Sequence, residues 1–162
     1  MVNSTNSGLE PIRIEEDGSP KLIAGLSRTY SFGTPLNGAA QWEQFSPYIG
    51  TLSAQKGATA YGVCFELADA EGLEYVCGVE VTEDAELPKE LTAKELPAQR
   101  YAVFLHEGHV SAMRKTLDAI SEWLPESEFD RPEEVNFFFE RYGERFNPET
   151  GAGEIEIWIP IE

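Results

Sequence analysis

The run Phe137-Phe138-Phe139-Glu140-Arg141-Tyr142 places one carboxylate among aromatic rings. In a β-strand, alternate residues share a face. Phe138, Glu140 and Tyr142 then lie on one side, and Phe137, Phe139 and Arg141 on the other. If the first side is covered, Glu140 loses water and needs a hydrogen bond, a basic side chain or a ligand cation. A carboxylate–cation pair at ~4 Å is worth roughly 4 kcal/mol at an effective dielectric of ~20, before desolvation is subtracted. Each aromatic face adds about 0.5–2 kcal/mol by cation–π attraction. These residue types suit a pocket for lipophilic cations. The spacing fits equally a carboxylate paired with a nearby arginine or exposed at a sheet edge.

Trp42, Phe45, Tyr61, Phe65, Tyr75 and Trp158 are further aromatic candidates for the walls of such a pocket, or for ordinary core. From the strand and helix pattern, Trp42, Phe45 and Tyr61 are taken as wall residues beside Phe138 and Tyr142. Glu66 is the expected repeat counterpart of Glu140. His106 and His109 frame Glu107-Gly108 at a three-residue spacing, but no further ligand cluster accompanies them. They read as part of a strand–helix turn, and neither a metal nor a cofactor is expected. The sequence has no glycine-rich phosphate loop.

The elements that must position these residues recur in the same order. A strand over 21–32 precedes a helix whose apolar positions run from Leu36 to Ile49, with Thr34 as cap and Pro35 in the first turn. Two alternating strands follow, around Tyr61–Glu66 and Leu73–Val81, joined by a turn at Asp69-Ala70-Glu71-Gly72. Residues 82–88 read as an acidic loop. A second strand over 98–106 leads into a helix marked by Val110, Met113, Leu117, Ile120 and Leu124, closed by Pro125. Strands over 135–146 and 155–161 complete the pattern. The chain thus reads as α+β, with two strand–helix–strand–strand repeats. Neither repeat alone covers its sheet, so the halves are expected to join about a pseudo-two-fold axis into one antiparallel sheet carrying both helices. The seam is a natural place for a ligand. Residues 1–19 read as a flexible tail, in which Ile12 and Ile14 allow a short edge strand, and 20–162 as one domain.

The 162 residues include 29 acidic and 12 basic side chains, a formal net charge of −17. Nucleic acid and anionic membranes need a basic face, so neither is an expected partner. A cation would be attracted, within the ~8 Å reach that physiological salt permits. Cys64 and Cys77 sit in β-rich runs without ligand spacing and are expected as buried cytoplasmic thiols. The first residues lack an apolar secretory segment, and no apolar run approaches ~20 residues.

Three stretches resemble the GyrI-like effector-binding family, which also forms the ligand-sensing domain of AraC-type and multidrug-responsive regulators. They are Tyr101-Ala102-Val103-Phe104-Leu105-His106-Glu107-Gly108, Trp123-Leu124-Pro125-Glu126-Ser127, and Phe139-Glu140-Arg141-Tyr142 followed by 154–161. The resemblance covers about 21–161. The first half, with Gly25-Leu26-Ser27-Arg28 and Trp42 to Tyr48, is similar to stand-alone members carried on bacterial integron cassettes, which bind cationic drugs. The resemblance implies a central ligand channel in which Glu140 meets the ligand's charge, with Tyr142 beside it. The family's regulators carry a helix-turn-helix segment ahead of this domain. Only about 20 residues precede it here, so direct DNA binding is not expected. Two other roles follow from the same resemblance. One is a hydrolase of cyclopropane-bearing compounds, with Glu140 as general base. The other is a gyrase-inhibitor-like module with a protein partner. A homodimer is compatible with all three.

Overall fold

The computed structural model describes residues 9–18, 20–31, 38–52, 54–66, 72–133, 135–147 and 149–162. The expected helix start at Thr34-Pro35 and most of the turn before Gly72 lie outside them. The described strands are β1 (Arg13–Gly18), β2 (Lys21–Ser31), β3 (Gln55–Glu66), β4 (Gly72–Val81), β5 (Thr92–Leu96), β6 (Gln99–His109), β7 (Phe137–Asn147) and β8 (Ala152–Ile161). Two helices accompany them: α1 (Gly38–Phe45), and α2 (Met113–Glu126), which runs one residue past Pro125. All pairings are antiparallel, in the order β1-β6-β8-β7-β3-β4-β2-β5. The α+β repeat pattern read from the sequence is therefore present. Two strands need correction. β1 occupies part of the stretch expected as a tail, where Ile12 and Ile14 allowed an edge strand. β5 is a short strand carrying Lys94 and Glu95, with no apolar alternation to announce it.

The sheet curls on itself. In a flat sheet β5 and β6 would stand six strand spacings apart, about 29 Å at ~4.8 Å each. Only residues 97 and 98 join them, a link of at most about 11 Å. β1 likewise passes into β2 through a two-residue link. Gly18 faces Gln99 and Lys21 faces Leu96, so the ladder keeps its register across both links. β1 and β2 thereby pair with β6 and β5 in one register, which brings the two ends of the sheet together and closes it into a barrel. Its interior is packed by Val63, Val76, Tyr101, Val103, Phe139 and Trp158, among others. The rings of Tyr101, Phe139 and Trp158 touch pairwise, with centroids 5.2–5.3 Å apart. The helices cover the outer face. Phe45 of α1 joins Cys64, Tyr75 and Cys77, while Met113 and Ile120 of α2 join Phe104, Tyr142, Ile155 and Ile157.

The strands of the two repeats correspond in a defined register. β2 maps onto β6 at an offset of 78, Lys21 to Gln99 and Ser31 to His109. β4 maps onto β8 at an offset of 80, Gly72 to Ala152 and Val81 to Ile161. Tyr75 opposite Cys64 then becomes Ile155 opposite Tyr142, which maps β3 onto β7 at 78. The counterpart of Glu140 is therefore Gly62, not Glu66. Gly62 and Glu140 also face each other directly across the β3–β7 ladder. The pseudo-two-fold axis passes between them.

Candidate functional site

Glu140 projects from the middle of β7 onto the helix-covered face and is 6 % exposed. Its neighbour Arg141 points the other way, as alternation requires, and meets Glu156 at 3.8 Å. Arginine pairing, one of the readings left open by the sequence, therefore does not apply to this side chain. Among the described residues no basic group forms an ion pair with Glu140. Two phenols serve it instead: Tyr75 donates to Oε1 at 2.8 Å, and Tyr142 donates to the same oxygen at 2.7 Å. Oε2 accepts no hydrogen bond among the described residues.

Trp42 of α1 completes the group. Its Nε1 donates to the Tyr75 hydroxyl at 3.0 Å, and its ring meets Tyr142 edge-on at 5.2 Å. α1 is held over this point by Gln41, which is buried. Gln41 Nε2 donates to the carbonyls of Leu26 and Tyr75 at 2.9 and 2.7 Å, and its Oε1 accepts from the Tyr30 hydroxyl at 2.8 Å. Phe45 packs behind Trp42, with centroids 6.2 Å apart. Phe138 stands on the Glu140 face, two residues back along β7. Gly62 makes the cluster sterically feasible. A Cβ there would lie 2.3 Å from the Tyr75 hydroxyl and 2.7 Å from Glu140 Oε1.

The charge is held at a cost. Burial raises the Glu140 pKa above the usual carboxylate value, opposed by the hydrogen bonds from Tyr142 and Tyr75 and by the field of His106. Burial and the nearby Glu140 push the Tyr75 and Tyr142 phenols well above the ordinary range. Cys64 and Cys77, both buried free thiols, are raised for the same two reasons. His106 is also buried. Its Nε2 bonds the His109 carbonyl at 2.9 Å, which fixes that nitrogen as a donor, and its Nδ1 meets the Thr116 hydroxyl at 2.6 Å. His109 Nδ1 accepts from the Ser111 amide. Both histidines thus belong to the β6–α2 junction.

Of the residues singled out in the sequence, Glu140, Tyr142, Phe138, Trp42 and Phe45 come together. Tyr61 does not. It lies on the barrel's inner face against Phe139, 5.7 Å between centroids, because Val63 pairs with Phe139 and the odd positions of β3 and β7 share that face. Phe65 and Trp158 are on that face too. Tyr75, one of the further aromatic candidates, stands at the carboxylate. Its alternation with Cys77 along β4 was the available signal. The rings of Trp42, Tyr75 and Tyr142 pack beside the carboxylate. An open groove of about 370 Å³ lies elsewhere, lined by Thr59, Leu105, Arg141, Glu144, Arg145 and Glu156 among others. Glu66, exposed, pairs with Arg131 at 3.2 Å. Among the described residues there is no cluster of metal ligands, and no helix is long and apolar enough to cross a membrane.

Comparison with known proteins gives this geometry a family. The transcriptional regulator BrlR of Pseudomonas aeruginosa is 32% identical over 123 residues. The match covers 74% of this chain and 44% of BrlR, so the chain spans less than half the length of that relative. The structure of SAV2435 bound to tetraphenylphosphonium superimposes with a TM-score of 0.68 at 18% identity, covering 93% of each chain. The integron cassette protein VCH_CASS2 of Vibrio cholerae superimposes with a TM-score of 0.60 at 15% identity, covering 96% of this chain and 99% of the other. These superpositions share the GyrI-like effector-binding fold. The model of the integron-associated effector binding proteins, Cass2, matches residues 34–161, and the chain belongs to that family.

Proposed function

We propose that this protein binds amphipathic aromatic cations at Glu140, with Tyr142, Tyr75 and Phe138 as walls and Trp42, backed by Phe45, standing over them. The observation that carries the reading is a buried carboxylate held through one oxygen by two phenols, with no ion-pair partner among the described residues. A protein that kept this carboxylate for structure alone would be expected to pair it with a cation of its own. A lipophilic cation supplies that charge, and the rings solvate it from the sides. Membership of an effector-binding family supports a small-molecule ligand, and the tetraphenylphosphonium-bound relative supports its charge class. The net charge of −17 favours cations and disfavours nucleic acid as a direct partner. Two buried free thiols fit a cytoplasmic setting.

The test is calorimetric titration with tetraphenylphosphonium, comparing the wild type with Glu140→Gln. Loss of a desolvated charge partner costs about 2–5 kcal/mol, so the variant should bind at least thirtyfold more weakly. Wild-type affinity should also fall as the pH drops through the raised pKa of Glu140, because the protonated acid offers no charge. Equal affinity of the two proteins at neutral pH would sink the proposed role.

A further inference from the structure

The helix-side core divides into one cluster under α1 and one under α2, and Trp42 and Phe138 belong to both. Both are only partly buried, and they bridge the seam where Glu140 sits. Trp42 makes there the contacts a bound aromatic would make. It presents a planar ring to Tyr142, an N–H to the Tyr75 hydroxyl, and an apolar edge to Phe45. The adjacent Gln41 is fully bonded to the sheet and keeps the indole in place.

We infer that Trp42 is an internal occupant of the Glu140 site, and that a cationic ligand binds by displacing its indole from Tyr75 and Tyr142. This rests on the cation-binding reading but makes a separate statement about α1. The described arrangement is the closed form, and the ligand meets only the fraction of molecules in which Trp42 has swung out. Apparent affinity is reduced by that fraction. The inference also narrows the ligand class. A flat aromatic with an N–H at its edge and a positive charge within reach of Oε2 can take over every contact that Trp42 gives up.

The experiment titrates tetraphenylphosphonium into the wild type, Trp42→Ala, Trp42→Phe and the double variant Trp42→Ala/Glu140→Gln, and adds free indole as competitor. Trp42→Ala should bind roughly tenfold or more tightly than wild type, in line with a latch built from one hydrogen bond and one ring contact. Trp42→Phe keeps the ring, loses the N–H, and should fall between them. Indole should compete in Trp42→Ala and leave the wild type unaffected. Trp42→Ala binding no better than wild type, with no competition by indole, overturns the inference while leaving the cation site standing. Weakened binding in the double variant ties the gain to Glu140. If neither the wild type nor Trp42→Ala binds the cation, the functional reading fails and indole decides alone. A melting temperature of Trp42→Ala that indole does not raise then shows that no site was vacated.

Discussion

A carboxylate kept for its ligand and one kept for the fold respond oppositely to neutralisation. Glu140→Gln removes the charge, keeps an oxygen to accept from Tyr75 and Tyr142, and preserves the volume. Hydrogen bonds to a charged group contribute about 1.5–3 kcal/mol each, while burying the ion costs several kcal/mol. The raised pKa means that the cost exceeds what the phenols and His106 return. The sign for stability follows. Between the unfolded value near 4.5 and the raised folded value, the folded protein holds the proton and the unfolded chain has released it. The slope of unfolding free energy with pH is then negative. The stability associated with Glu140 is fully present below the unfolded value and is lost as pH rises through the folded one. Each unit of upward displacement is worth about 1.4 kcal/mol. Glu140→Gln should therefore be more stable than wild type at pH 7.5, and each kcal/mol gained raises the melting temperature of a chain of this size by about 2–4 °C. Near pH 4 the two should converge. Urea unfolding of both proteins across pH 4–8 measures the difference directly, and the many other acids cancel in it. A variant less stable than wild type at pH 7.5, or a difference independent of pH, would refute the reasoning and make Glu140 a structural group.

Two further substitutions probe the same cluster. Gly62→Ala drives a methyl into the Tyr75 hydroxyl and Glu140 Oε1, and should cost about 1–3 kcal/mol of stability in urea denaturation as well as weakening cation binding. Tyr75→Phe removes one donor to Glu140 and the acceptor for Trp42. The pH midpoint for tetraphenylphosphonium binding should move upward, measured by titration across pH, because the carboxylate loses a bond that held its pKa down.

The sequence was most legible where a signal lies within one strand or helix. Alternation alone put Phe138, Glu140 and Tyr142 on one face, and helical spacing put Trp42 and Phe45 together. Statements that need two strands at once fared differently. Whether Tyr61 or Gly62 faces Glu140 depends on the β3–β7 register, and one step of register exchanges every side chain between faces. The same dependence left Tyr75 unselected, since its place beside Glu140 requires the β4–β3 and β3–β7 ladders together. The matching glutamates in Phe65-Glu66 and Phe139-Glu140 made Glu66 an attractive counterpart. The strand offset of 78 removes it. Closure of the barrel was legible only in hindsight. It rests on two short links and on β5, whose charged residues carry no strand pattern. The contacts of Trp42 with Tyr75 and Tyr142 could not be read either, because helical spacing places Trp42 on a face without saying what it meets there.

The position of Glu140 on the symmetry axis explains why the two halves differ where they meet. A duplicated fold places the same position of each half face to face across its central ladder. Two glutamates at this spot would set buried carboxylates side by side, and the second would ionise only at a much higher pH. Two glycines would leave no charge and an open gap between the ladders. One glutamate opposite one glycine gives a single charge, room for its side chain, and a hydroxyl from each half to hold it: Tyr75 from the first and Tyr142 from the second. Their symmetry mates, Ile155 and Cys64, are apolar or a thiol, so no second carboxylate could be held in the same way. The asymmetry at one pair therefore extends to its neighbours, and a single-charge site is its chemical consequence.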